Sequence, residues 1–186
     1  MKFIEPYNPD WPVKFEQISQ LLQTELEGVP IDIQHVGSTS IPGMLAKPIL
    51  DIDIIIANKS SLDDIIDKLE RIGYHYRGEQ GINGRFAFRQ TSAYTPVSEE
   101  DHKWMEHHLY VCYSDSLALK NHLLFRNKLR EESRLFNAYY ALKKSLALQT
   151  GITRETYNTG KTDFIISVLA TAGLTEQELS KIKSVN

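Results

Sequence analysis

Apolar positions recur at three- and four-residue spacing from Phe15 through Ile18 to Leu22, with Leu21 and Leu26 beside them, and this predicts an amphipathic helix. Asp10 reads as its N-cap, Pro12 suits its first turn, and Gly28 closes it. Ile31 and Ile33 then alternate with polar neighbours up to Val36, which predicts a short strand. Residues 49–57, ILDIDIIIA, are too short and too β-branched for a helix and predict a second strand, central and largely buried. Ser61 with Asp64 resembles a capping box, and Leu62, Ile65, Ile66, Leu69 and Ile72 form the stripe of a helix that Gly73 ends. Tyr74–Tyr76, Arg85–Gln90 and His107–Tyr113 read as further strands, with a loop at 91–105.

From Ser116 the period changes. Leu117, Leu123, Leu124, Leu129, Leu135, Leu142, Leu146 and Leu148 stud residues 116–149, which predicts helix with a break near Glu131–Ser133 and another at Gly151. Lys161–Ala172 is a further helix, and Thr175 with Glu178 caps a last short one. Strands first and helices last point to the α+β class, with a sheet-containing core over about 1–115 and a helical section over about 116–186 of a single domain.

Composition narrows the function classes. The 186 residues carry 21 basic and 24 acidic side chains, a net charge of -3, which disfavours extended nucleic-acid binding but leaves room for a local basic pocket. Cys112 is the only cysteine, so no intramolecular disulfide forms, and its place in an apolar strand reads as an inert buried thiol. No apolar run reaches the ~18 residues of a membrane span, and the first residues lack a basic-then-apolar leader. The expectation is a cytoplasmic protein with no membrane partner.

Side chains on a strand alternate faces, so in ILDIDIIIA Asp51 and Asp53 share one face with Cα atoms roughly 6.6 Å apart, two rises of ~3.3 Å. Two anions on a buried strand need compensation. A divalent cation is one solution, since carboxylates suit Mg²⁺ or Mn²⁺. Pairing with Arg or Lys, or plain solvation of that face, is another. The first strand runs into Gly37-Ser38-Thr39-Ser40 and then Ile41-Pro42-Gly43. Such a turn brings backbone N–H groups and hydroxyls close to a phosphate, although no Gly-Lys-Ser/Thr follows as in a Walker loop. The same residues also suit a tight turn with local hydrogen bonds.

The combination says more than its parts. Gly37-Ser38 at a strand end, followed by Asp51-Ile52-Asp53 on the next strand, resembles the nucleotidyltransferase (DNA polymerase β-like) superfamily. The longer string HVGSTSIPGMLAKPILDIDIII, with GRFAFR at 84–89, HHLYVC at 107–112, HLLFRNKLR at 122–130, Tyr157 and Lys161, resembles the GrpB family within it, over roughly residues 3–173. Asn127 and Lys128 depart from the family's more familiar Asp-Tyr.

The resemblance implies a nucleotidyltransferase-like mixed sheet with flanking helices. It also implies that Gly37 and Ser38 hold phosphate and that Asp51 and Asp53 hold Mg²⁺ or Mn²⁺. The superfamily's third carboxylate falls at His108, a candidate metal ligand or base, with Glu106 at the strand edge as the other choice. Matching positions put Lys47, Arg85, Arg126 and Lys161 on a nucleoside triphosphate or another phosphorylated small molecule, and Tyr157 either stacks on a base or packs. His102, His107 and His108 match no common zinc spacing. The implied activity is metal-dependent transfer of a nucleoside monophosphate to an unknown acceptor. A non-catalytic nucleotide-binding module and a metal-dependent phosphoester hydrolase are the alternatives.

Overall fold

A computed structural model describes residues 4–98 and 101–185. The expected 91–105 loop therefore includes Glu99 and Glu100, which lie outside the described residues, as does residue 3 at the start of the family resemblance. Among the described residues, seven α-helices and five strands follow one another as α1 (Asp10–Glu25), β1 (Asp32–Val36), β2 (Leu50–Ile56), α2 (Leu62–Arg71), β3 (Tyr74–Tyr76), β4 (Arg85–Gln90), β5 (His107–Tyr113), α3 (Leu117–Glu131), α4 (Ser133–Leu148), α5 (Arg154–Thr159), α6 (Thr162–Thr171) and α7 (Glu176–Lys183). The expected α+β class and mixed sheet are what the chain forms.

The five strands make one sheet in the order β1-β2-β5-β4-β3. β2 pairs parallel with β5, and the other three pairings are antiparallel. The register sets Ile52 opposite Leu109 and Ile54 opposite Val111, which in turn faces Phe86 on β4. Opposed residues share a face. This apolar face buries Leu50, Ile52, Ile54, Leu109 and Val111 completely against Trp11, Ile18 and Leu22 of α1 and Ile65 and Leu69 of α2. The opposite face carries Asp51, Asp53, His108 and Tyr110, so period-2 alternation converts one apolar strand into a core face and a polar face.

The helical half docks beside that polar face. Ile41 and Met44, just past the glycine–serine turn, pack with Leu129 of α3 and Tyr139 of α4. Leu45 packs with Leu146 and Tyr157. Leu169, Leu174 and Ile182 tie α6 to α7. Residues 41–46 are thus the seam along which α3, α4 and α5 are positioned over the end of β2.

Three local expectations need correction. Asp10 is the first residue of α1, not its cap; Pro9 is already helical at φ -64, and the Asp10 N–H is taken by Asn8 Oδ1 at 2.9 Å. Ser61 makes no side-chain cap, because a short 3₁₀ turn at Lys59–Ser61 precedes α2 and Asn58 caps that turn instead, accepting from the Ser60 N–H. α5 was not expected; its capping box joins Thr153 and Thr156, where Thr stands at the position usually held by Glu. The break between α3 and α4 and the Thr175–Glu178 capping box of α7 are as expected. No helix among the described residues is long and apolar enough to cross a membrane.

Candidate functional site

Gly37 ends β1 with φ +68 and ψ -173, a left-handed φ that disfavours side chains. Space forbids one as well, since a Cβ there would lie 2.0 Å from Asp51 Oδ2 and 2.8 Å from its Cγ. Glycine therefore lets the turn back directly onto the Asp51 carboxylate. Residues 38–40 then coil into a single 3₁₀ turn in which the Ser40 hydroxyl donates to the Gly37 carbonyl at 2.6 Å, so the local hydrogen bonds expected of a tight turn are present too.

Asp51 and Asp53 point to the same face, as the alternation requires, but into different surroundings. The Asp51 side chain is about one-third exposed, and its Oδ1 accepts from His108 Nδ1 at 2.9 Å. The register explains that contact, because Asp51 stands opposite His108 across the parallel β2–β5 pair. Asp53 is fully buried, and its Oδ2 accepts from His122 Nδ1 of α3 at 2.8 Å. Its Oδ1 is buried with no hydrogen-bond partner. Hydrogen bonding to Asp51 raises the His108 pKa. Burial works against protonating His122, but the charge and hydrogen bond of Asp53 outweigh it and the net shift is upward.

A cavity of 230 Å³ opens beside Asp51 and is lined by Ser38, Lys47, His108, Lys143, Tyr157 and Lys161 among others. Lys143 is 2 % exposed, and its Nζ donates to Ser38 Oγ at 2.7 Å and to the Leu45 carbonyl. Lys47 and Lys161 lie over the Tyr157 ring, 5.5 Å and 4.7 Å from its centre. Among the described residues none of the three ammonium groups forms an ion pair. Burial drives the Lys143 pKa well below the usual lysine range, with Lys161 adding repulsion. Burial, then the charge of Lys47, brings Lys161 down to about 8. Burial and Arg154 lower Lys47. Three partly desolvated lysines that repel one another when protonated surround one cavity, and a polyanion there would favour their charged forms.

The structure thus brings together Ser38, Lys47, Asp51, His108 and Lys161, with Gly37 behind Asp51. Arg85 and Arg126, the other two basic residues expected on a phosphate, do not line that cavity. Arg85 stands opposite Cys112, four residues along β5 from His108, and stacks on Tyr110 with its guanidinium carbon 4.5 Å from the ring centre. Arg126 donates to Gln34 Oε1 and the His35 carbonyl, both at 2.9 Å, and so clamps α3 to β1. Tyr157 is buried, with two lysines over its ring. Cys112 is buried, with its thiol pKa pushed up by desolvation.

The histidine run disperses. His102 packs on Trp104, His107 bonds Tyr74, and His108 bonds Asp51. Among the described residues no group of three His, Cys, Asp or Glu side chains is arranged to hold a metal ion.

Two functional candidates had gone unassigned. His122 is one turn from Arg126 on α3, and both reach the edge of β2 and β1. Lys143 sits between Tyr139 and Leu146 on the buried stripe of α4. A lysine inside an apolar stripe was the signal available for it.

The family model described as GrpB protein matches residues 3–171. The chain belongs to the GrpB family. The crystal structure of conserved protein GrpB from Enterococcus faecalis superimposes with a TM-score of 0.73 at 31% identity, covering 97% of this chain and 98% of that one. The UPF0157 protein YqkA of Bacillus subtilis is 32% identical over 159 residues, 86% of this chain and 43% of the relative. A UPF0157 protein of Streptomyces coelicolor is 30% identical over 151 residues, 78% of this chain and 71% of the relative. This GrpB-family chain therefore spans less than half the length of the Bacillus subtilis relative it matches.

Proposed function

We propose that this GrpB-family protein is a metal-dependent nucleotidyltransferase that moves a nucleoside monophosphate from a nucleoside triphosphate to an acceptor hydroxyl. The observation that carries this reading is the meeting of Lys47, Lys143 and Lys161 with Ser38 in one cavity whose wall includes Asp51. Three cations without acid partners suit the β- and γ-phosphates, and the Ser38 hydroxyl and turn backbone suit their oxygens.

The donor set fits a divalent cation. Asp51 and Asp53 present carboxylates on one face, and the buried, partnerless Asp53 Oδ1 is an acceptor in want of a positive charge. Mg²⁺ usually takes one or two protein carboxylates and completes its shell with substrate phosphates and water, so a three-residue protein cage is not required. Asp51 and Asp53 would hold Mg²⁺ or Mn²⁺, with His108 beside them, and the ion would neutralise charge on the transferring phosphate.

In the proposed reaction the acceptor oxygen bonds to the α-phosphorus. The bond from that phosphorus to the bridging oxygen breaks, and pyrophosphate leaves with the electron pair. The hydroxyl proton goes to His108 Nε2, the ring nitrogen left as an acceptor when Nδ1–H donates to Asp51. Lys143 and Ser38 hold the leaving pyrophosphate in line.

One observation favours a second reading. One oxygen of each carboxylate is already engaged, Asp51 by His108 and Asp53 by His122, which suits a module that binds nucleotide without turning it over. Incubating the four ribonucleoside triphosphates with Mg²⁺ or Mn²⁺ and a broad acceptor set, scored for pyrophosphate, separates the two. Release that depends on acceptor supports transfer. Nucleotide binding with no release in any combination supports the module, and orthophosphate release without acceptor supports a hydrolase.

A further inference from the structure

Two cavities open on the polar face of the sheet and meet at His108, which lines both. The first is the lysine cavity. The second lies over β4 and β5, measures 710 Å³, and is lined by Arg77, Arg89, Lys103, Trp104 and Glu106. That volume suits a small organic molecule. Arg89 shares its face of β4 with Ala87, which the register sets opposite Tyr110, so its side chain rises beside the end of β5 that carries His108. Among the described residues Arg77, Arg89 and Lys103 form no ion pair, and Glu106 is the one carboxylate in the lining.

We infer that this second cavity is the acceptor site and that the acceptor is a small hydroxyl-bearing acid, its phosphate or carboxylate held by Arg77, Arg89 and Lys103. In-line transfer needs the attacking oxygen and the departing pyrophosphate on opposite sides of the α-phosphorus. Cavities on either side of His108 supply that arrangement, with the acceptor hydroxyl entering from one and the triphosphate lying in the other. Two arginines suit an acid better than a neutral acceptor, because a guanidinium matches carboxylate and phosphate oxygens in pairs. The word acceptor rests on the nucleotidyl-transfer reading. The binding of an acid does not.

Trp104 gives a local reporter, since its indole N–H is fixed to the Pro96 carbonyl at 2.7 Å in the cavity wall. The 186-residue chain is titrated with glycerol 3-phosphate, glycerate and glycerol while tryptophan emission is followed, with Trp104→Phe as the control that removes the reporter. At least one acid changes the emission and glycerol does not; whichever acid binds more tightly identifies the anionic group. Arg77→Gln and Arg89→Gln each weaken that binding roughly tenfold, the loss of one charge-assisted contact, and Lys143→Met leaves it unchanged. Emission that no acid alters, or binding that survives both arginine substitutions and vanishes in Lys143→Met, overturns the inference. A parallel titration with a non-hydrolysable triphosphate keeps the two readings apart. If the triphosphate fails to bind while the acid pattern holds, nucleotidyl transfer falls and the acid site stands; the reverse result removes the acid site alone.

Discussion

Lys143 Nζ lies 2.7 Å from Ser38 Oγ, so an ammonium from α4 closes onto the hydroxyl of a turn 105 residues earlier in the chain. That contact joins the sheet half to the helical half at the point where a phosphate would sit. The lysine is buried without a carboxylate partner, so it is held at a cost to the empty fold. Lys143→Met keeps the volume and removes the charge. Affinity for a non-hydrolysable nucleoside triphosphate should fall tenfold or more by calorimetry, while the melting temperature in anion-free buffer holds or rises. Unchanged nucleotide affinity would remove Lys143 from the site.

Gly37 and Gly28 make a matched pair of tests. Both have positive φ, +68 and +88, but a Cβ at Gly28 meets nothing within 4 Å, whereas one at Gly37 strikes the Asp51 carboxylate. Gly28→Ala should cost about 1 kcal/mol in denaturant unfolding, the strain of the backbone alone. Gly37→Ala should cost more, about 1–3 kcal/mol of backbone strain and further loss from displacing Asp51, and should abolish Mn²⁺ binding where Gly28→Ala does not.

The two carboxylates should part company on mutation. Asp51→Asn breaks a half-exposed contact with His108 and should change stability by less than about 1 kcal/mol while weakening divalent-metal affinity. Asp53→Asn leaves His122 facing a buried amide and should destabilise by about 3–5 kcal/mol, a loss that His122→Phe in the same chain partly restores. Chemical denaturation and metal titration of the three variants and the wild type check this. Equal Mn²⁺ affinity in wild type and Asp51→Asn would exclude Asp51 as a ligand.

Acid should loosen the fold through two histidines away from the proposed phosphates. Burial lowers both His35 and His107 from 6.5 to about 4. Burial keeps His107 neutral against the Met105 carbonyl, whose bond to Nδ1–H favours protonation, and Nε2 accepts from the Tyr74 hydroxyl at 2.5 Å. His35 stacks on Phe15 and bonds Thr39 at 2.9 Å. Between about pH 6.5 and pH 4 the unfolded chain binds these protons and the folded chain does not. Stability is therefore complete above 6.5 and declines as pH falls towards 4, by up to about 3 kcal/mol per histidine. Denaturant midpoints at pH 7.5 and 5.0 should differ in that sense, and His107→Gln should shrink the difference. His108 and His122, whose pKa values are raised, add stability as pH falls, so the check is the wild-type difference against that of His107→Gln; no change on substitution would contradict the burial of that ring.

Strand placement was legible because each strand is a short β-branched or aromatic run bounded by Gly, Pro or polar clusters. The shared face of Asp51 and Asp53 was legible because alternation is a property of any strand. Lys143 was not. A lysine on a helix reads as solvated until the docking of α4 on residues 41–46 is known, and that docking is tertiary. The neighbours of Arg85 and Arg126 were not legible for a related reason. Spacing places the two arginines on a strand and a helix, but only the β4–β5 register and the seating of α3 on β1 decide which end of the polar face they reach. α5 spans six residues, too few for periodicity to show, and its Thr153–Thr156 cap was the one local trace of it.

β5 comes last among the strands in the chain yet lies between β2 and β4. Before it inserts, the sheet is two separate two-stranded ribbons with open inner edges, each marginal alone and ready to pair with another chain. Both carboxylates are synthesised more than 50 residues before His108, and they have no opposing surface until that late insertion. Neither face of the sheet is complete, the polar one included, until β5 has paired with β2 and β4. A chain stopped short of residue 107 would carry the aspartates and the glycine–serine turn, lack the strand that faces them, and tend to aggregate.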